Sequence, residues 1–215
     1  MFKTFPIRSP LQTGGVKKTI NTWARALPSW VVYSVGMLPA LIAFYQGATG
    51  GLGAEPIKAL EHELGEFGLK LLIIGLMITP LRVYGKIQLF KFRRAFGLLA
   101  FIYVMLHFAV WALLDLGDVA LIWADLTKRP YIILGMIALV MLIPLAATSN
   151  NYAQRAMRGG WGLLHRLTYP VALLSGLHFI WLRKGFQIEP LAYFAVIAAL
   201  LLLRVPAVQR VLRRG

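Results

Sequence analysis

The sequence predicts an all-α integral membrane protein, a bundle of six transmembrane helices with both termini cytoplasmic. Three observations predict it. Of 215 residues, 59% are hydrophobic and only 14% charged, with a mean hydropathy of +0.69; a soluble domain carries about a quarter charged residues. The apolar residues fall in uncharged blocks rather than alternating, the pattern of helices in lipid and not of half-buried strands. Lys and Arg gather in alternate connections, which orients the chain.

Residues 1–28 read as a basic cytoplasmic tail carrying Lys3, Arg8, Lys17, Lys18 and Arg25. A signal peptide has a short apolar core and a small-residue cleavage site. Here the following run is long and leads into Tyr45-Gln46-Gly47, so it reads as a true span. Residues 29–206 then hold six spans: Ser29 to Gln46, Phe67 to Leu81, Ala95 to Leu114, Tyr131 to Ala147, Gly162 to Leu182 and Ile188 to Leu203. A bilayer requires roughly 17 to 25 residues, and the second and sixth spans are at the short end. Lys70, inside the second, is expected to snorkel from a helix end. Residues 207–215 form a basic cytoplasmic end.

Charge placement sets the orientation. The tail, the second-to-third loop (Arg82, Lys86, Lys91, Arg93, Arg94), the fourth-to-fifth loop and helix start (Arg155, Arg158, Arg166) and the C-terminal end (Arg204, Arg210, Arg213, Arg214) share one side. The other side has Lys58, Lys70, Lys128, Arg129, Arg183 and Lys184, and all eight Asp and Glu residues. The basic side is therefore cytoplasmic. Its rim suits anionic lipid headgroups, and no folded basic surface remains for nucleic acid, so the net charge of +15 does not mark a nucleic-acid partner. The absence of cysteine excludes thiolate-held clusters, a c-type haem attachment and thiol redox chemistry. The loops are too short for a catalytic domain. The longest, Gly47 to Glu66, places His62 among acids as a surface histidine. No Gly-rich dinucleotide fingerprint, internal repeat or low-complexity segment is present, so substrate chemistry belongs to a partner.

The residues with chemistry are three histidines in or beside the apolar runs. His107 lies 12 residues after Ala95 on the third span, and His178 lies five before Arg183 on the fifth. Both spans run outward, so the two imidazoles share an outer level. Two imidazoles on opposite faces of a macrocycle are the ligand set of an electron-carrying b-type haem. His165, 13 residues before His178, marks an inner level. Arg93, 14 residues before His107, stands within about 40° of the same helical face, where a second third-span histidine would stand. Arginine is a poor iron ligand but holds a propionate or a flavin phosphate well. The inner level therefore reads either as an incomplete haem site or as an anion-bearing cofactor site. His165 and His178 are about 140° off one face. Either Pro170 kinks their helix, or His165 precedes the regular helix. Trp30, Trp111, Trp161 and Trp181 fall near span ends as an aromatic belt, and Gly75, Gly97, Gly135 and Gly176 read as helix-packing residues.

The chain resembles the ferric reductase and NADPH oxidase transmembrane superfamily, with its histidines on helices three and five of six. Within it, the chain is most similar to the haem-binding membrane subunits of bacterial periplasmic methionine sulfoxide reductase systems. The resemblance rests on Gly50-Gly51-Leu52-Gly53-Ala54-Glu55-Pro56, Gly68-Leu69-Lys70 after His62, Ile78-Thr79-Pro80-Leu81, Arg93-Arg94 with Gly97-Leu98, Leu106-His107, Arg129-Pro130-Tyr131, Thr148-Ser149, and Trp161-x-x-Leu164-His165-x-Leu167-x-Tyr169 followed by His178. It covers about residues 30 to 182. It implies a multi-pass inner-membrane protein with haem b, one or two per chain, and FMN. Its haem-iron ligands would be His107, His165 and His178, with Arg93 linked to the haem site. The resemblance also implies electrons from the quinone pool or a cytosolic flavin reductase, and a periplasmic molybdopterin-containing methionine sulfoxide reductase as acceptor. Competing readings are a ferric or quinone reductase-type cytochrome b and a proton-coupled transporter with a histidine relay.

Overall fold

A computed structural model describes residues 13–183 and 187–212, and these are helices joined by short turns. Lys3, Arg8, Lys184, Arg213 and Arg214, counted above toward orientation, lie outside the described residues. Helix α1 (Thr13–Ala26) occupies half of the segment expected to be a plain tail. Val16, Ile20 and Trp23 recur at helical spacing and are exposed, Trp23 at 72%. Ala24 faces inward. Asn21 ties this helix to the turn after α3, its Nδ2 donating to Lys86 O and its Oδ1 accepting from Gln88 N–H. Lys91 Nζ donates to Arg25 O.

Among the described residues, four helical segments are long and apolar enough to cross a membrane. They are α2 (Ser29–Thr49), α3 (Pro56–Val83), the run Phe90–Leu116 containing α4 (Arg93–Ala109), and, beyond the short α5 (Val119–Lys128), α6 (Pro130–Ala147). Two short helices, α7 (Asn151–Met157) and α8 (Gly159–Leu164), lead to α9 (Thr168–Leu182), which is followed by α10 (Ile188–Leu202) and α11 (Pro206–Leu212). The apolar α9 and α10 have 15 residues each, about 22 Å of helix. Helix α2 exposes Leu41 at 61% and Tyr45 at 69%; apolar surface on this scale needs lipid as its solvent.

Local chemistry sets the ends. Gly50 ends α2 in the left-handed region, φ +82°, with its N–H on Gln46 O, where a Cβ would be strained. The expected long loop is therefore only residues 50–55. Pro56 opens α3 at a position that needs no N–H donor, so Lys58, Glu61, His62, Glu63 and Glu66 stand on helix. At 28 residues, α3 is about 42 Å long; its first turns project past an apolar core of about 30 Å. The α4 run ends in a π-helical stretch, Val110–Leu116, and Asp118 caps α5 by accepting from Ala120 N–H at 2.6 Å. Helix α5 was not expected.

The core lies between α3 and α4, with α6, α9 and α10 on one flank and α2 on the other. Gly36 and Gly68 allow close approach: a Cβ on Gly36 would meet Leu99 at 2.5 Å, and one on Gly68 would meet Val104 at 3.2 Å. Tyr103, 1% exposed, inserts its hydroxyl into the α2 hydrogen-bond ladder. It donates to Gly36 O at 2.7 Å and accepts from Ala40 N–H at 3.0 Å, one residue after Pro39. Tyr103→Phe leaves the buried Ala40 N–H and the half-buried Gly36 O short of a partner, the buried one at a cost of about 1–3 kcal/mol. The expected result is a lower melting temperature of the detergent-purified protein with little change in helix content.

Two ends emerge. The α1–α3 turn contacts, Arg94 Nη2 to Asn151 Oδ1, and Tyr84 OH to Leu203 O gather the basic connections at one end. The acidic residues of α3, the π stretch and α5 gather at the other.

Candidate functional site

His107 on α4 and His178 on α9 meet across the bundle at the acidic end. Their ring centres are 6.4 Å apart and their planes cross at 78°. Each ring is oriented by a backbone carbonyl on a third element. His107 Nδ1–H donates to Glu61 O of α3 at 2.8 Å, and His178 Nδ1–H donates to Tyr131 O of α6 at 2.7 Å. Both donations fix the tautomer and leave Nε2 as the lone-pair atom, the arrangement usual for metal-ligating imidazole. Neither Nε2 has a protein partner among the described residues. Two imidazoles sharing one metal ion at about 2 Å per nitrogen put their ring centres roughly 6 to 6.5 Å apart.

Two glycines seat the rings. A Cβ on Gly65 would stand 2.9 Å from His107 Nδ1, and one on Gly135 would stand 3.1 Å from His178 Nδ1 and Cε1. Gly135 is thus a histidine seat rather than a helix-packing glycine. Gly176, in contrast, packs α9 against Phe194 and Ile197 of α10. The oxygen that orients His178 is itself braced. Arg129 hydrogen-bonds the Tyr131 hydroxyl at 3.3 Å and forms an ion pair with Asp125. Asp125 also accepts from Trp111 Nε1 at 3.1 Å. Trp111 is 5% exposed, so it belongs to this brace and not to an aromatic belt; Trp30 and Trp181 are exposed as belt residues are.

The two histidines open on a cavity walled by Leu69, Leu72, Val104 and Leu139, with Lys58, His62, Arg129 and Arg183 toward its acidic-end mouth. His62, expected as a surface histidine on a loop, is half-buried on α3 and lines this cavity, because α3 starts 11 residues earlier than its predicted apolar span. The residues fit a b-type haem: two imidazoles with Nε2 unengaged and ring centres 6.4 Å apart, beside an apolar wall and cations. Among the described residues, no group of three or more His, Cys, Asp or Glu side chains is placed to hold a bare metal ion.

A second cavity lies toward the basic end, and it brings His165 and Arg93 together. Lys91, Arg94, Arg166, Gln154, Ser149, Thr168 and Tyr169 add to its polar lining, and among the described residues no acid lines it. Gly75 and Gly97 line it as well. A Cβ on Gly97 would meet nothing within 4 Å and one on Gly75 only Phe96 at 4.0 Å, so these two glycines widen a cavity instead of packing helices. Arg93 has no ion-pair partner among the described residues, and its guanidinium lies 6.0 Å from the Phe90 ring.

The fifth predicted span is broken. α8 stops at Leu164, His165–Leu167 form a 3-10 turn, and α9 begins at Thr168. Pro170 has no N–H for Arg166 O, and its ring crowds that carbonyl, so α-helix cannot run through this turn. His165 therefore precedes the regular helix, which resolves its angular mismatch with His178. Trp161 stacks on His165 with ring centres 3.9 Å apart, and its Nε1 donates to Thr148 O at 2.9 Å. Trp161 is thus a histidine support rather than a belt residue. Thr148 Oγ1 donates to Pro144 O at 2.7 Å and lies 3.1 Å from His165 Nε2. One hydroxyl has one proton, so Nε2–H of His165 donates to Thr148 and Nδ1 holds the lone pair. This is the reverse of His107 and His178. The spacing Trp161-x-x-x-His165 carried a signal of this support; the carbonyls of Glu61 and Tyr131 carried none.

Comparison with known proteins adds the following. Residues 64–176 match the family model described as "Ferric reductase like transmembrane component". The "Protein-methionine-sulfoxide reductase heme-binding subunit MsrQ" of Brucella anthropi is 44% identical over 191 residues, 88% of this chain and 86% of that protein. The proteins of the same name from Brucella ovis and Brucella melitensis are each 46% identical over 176 residues, 81% of this chain and 80% of theirs. No solved structure matches the chain.

Proposed function

This chain belongs to the ferric reductase-like transmembrane family and, within it, to the family of protein-methionine-sulfoxide reductase heme-binding subunits, and on that premise we propose that it is the haem b electron-transfer subunit of a membrane-bound system that repairs oxidised methionine. The observation that carries the reading is the His107–His178 pair, with each Nδ1 on a backbone carbonyl, each Nε2 left unengaged and ring centres 6.4 Å apart. Haem b held there would supply one-electron transfer. Around it, Glu61 O and Tyr131 O orient the imidazoles, Gly65 and Gly135 give them room, and Leu69, Leu72 and Leu139 keep water out.

In this reading six helices span the bacterial inner membrane, α9 and α10 being the short pair, and both termini are cytoplasmic. Support comes from the basic connections at one end and the acids at the other. Electrons enter at the basic end from the quinone pool or a cytosolic flavin reductase. They leave at the acidic end to a periplasmic molybdopterin-containing catalytic subunit.

The inner cavity, in the same reading, takes FMN rather than a second haem. Arg93, Lys91, Arg94 and Arg166 supply cations without a lining acid, which favours a phosphate-bearing group. A second haem would lack a ligand opposite His165, since Arg93 stands in that direction and does not ligate iron. The test is the reduced-minus-oxidised spectrum and the haem and flavin content per purified chain. One haem b and one FMN are expected. Two haems would overturn the inner assignment, and a colourless extract would favour a transporter with a histidine relay. Arg93→Gln is expected to lower flavin content several-fold while the haem spectrum is retained, as read by acid extraction and fluorescence.

A further inference from the structure

We propose that Arg183 binds the propionate carboxylates of the haem held between His107 and His178, an inference that rests on the haem assignment above. Three cations line the outer cavity. Arg129 is paired with Asp125, and Lys58 with Glu55 on the exposed surface. Arg183 has no ion-pair partner among the described residues, and its Nε is buried without a hydrogen-bond partner. Its guanidinium lies 5.9 Å from the Phe179 ring, and Phe179 lines the same cavity. A buried Nε–H without a partner is costly, and an anion that accepts from it removes that cost.

The anion must also be one that this cavity admits. Glu61, Glu66 and Asp115 line the same space. Glu66 is engaged by Lys70 and by the Tyr193 hydroxyl. Carboxylates therefore enter favourably only beside a cation not already committed to an acid, and Arg183 is that cation. Position agrees with this. Arg183 follows His178 by five residues at the end of α9, about 7.5 Å along the helix axis. A haem held at His178 would meet Arg183 with its carboxylates turned toward the end of α9, where Arg183 stands. The planar guanidinium fork matches a carboxylate in two parallel hydrogen bonds.

The test uses the full chain purified in detergent, with Arg183→Gln, Arg183→Lys and His107→Ala. Haem is stripped and replaced by protohaem or by its dimethyl ester, which has no carboxylates. Arg183→Gln is expected to weaken protohaem binding about 10-fold and to lower the midpoint potential, because a positive charge that stabilises the added electron is gone. Arg183→Lys is expected to recover part of both. The dimethyl ester is expected to bind wild type and Arg183→Gln equally. Unchanged protohaem affinity and potential in Arg183→Gln would overturn the proposal. So would equal losses for protohaem and ester, which would mark a purely structural role. If His107→Ala keeps a wild-type haem spectrum, the haem assignment itself fails and this proposal with it; a haem-free His107→Ala beside an unaltered Arg183→Gln sinks the Arg183 role alone.

Discussion

Replacing either His107 or His178 with alanine is expected to abolish the low-spin b-type spectrum of the purified protein. In the proposed site the two rings would hold the iron, and the residues packed behind them, Gly65 and Gly135, carry no side chain that could replace an imidazole. In that reading, loss of either ring would remove one bond to the iron and leave a void the size of an imidazole beside the cavity. His165→Ala is the control. Its ring lies in the other cavity, hydrogen-bonded to Thr148 and stacked on Trp161, so the outer low-spin spectrum is expected to survive. The measurement is the dithionite-reduced-minus-oxidised spectrum normalised to protein. An intact low-spin spectrum in His107→Ala and His178→Ala would remove the basis of the functional reading.

Gly65→Val and Gly135→Val are expected to lose haem almost as completely, although neither touches iron. A Cβ on Gly65 would already sit 2.9 Å from His107 Nδ1, and one on Gly135 3.1 Å from His178. The added methyls must push the ring or the helix away, and either movement breaks the Nδ1–H donation to Glu61 O or Tyr131 O. Groups that orient metal ligands typically account for 10–100-fold in affinity, roughly 1.4 to 2.8 kcal/mol. The readout is haem affinity of the stripped protein, with circular dichroism to show that the helices persist. Gly50, whose φ of +82° serves the turn after α2, is a useful contrast: Gly50→Ala is expected to reduce stability and leave haem affinity near wild type. Wild-type haem affinity in both valine variants would show that the rings are not seated as described.

Much of this was legible in the sequence. The uncharged blocks locate α2, α4 and α6 to within a few residues, because burial of backbone polar groups in lipid forces any long apolar run into helix. His107 and His178 were paired by depth alone, and the structure brings them together. Other features were not legible. The acid-rich start of α3 reads as loop because hydropathy marks only the part of a helix inside lipid, and α3 continues outside it. Helix α5 and the π stretch before it depend on Trp111, Asp125 and Arg129 meeting across a turn. Trp111 and Trp161 look like belt residues at span ends; only their hydrogen bonds and the stacking on His165 give them other work.

The sequence by itself determined the class of molecule, the approximate membrane-crossing segments and which side chains carry the chemistry, since these follow from properties each residue brings with it: apolarity, charge and the lone pair of imidazole. The tertiary structure alone decided which nitrogen each histidine offers. Ring orientation depends on where a neighbouring helix presents a carbonyl or a hydroxyl. Glu61 and Tyr131 hold His107 and His178 with Nε2 free, and Thr148 holds His165 with Nδ1 free. Those partners lie 46, 47 and 17 residues away along the chain, and their approach is set by how the helices rotate and pack, which no local pattern encodes.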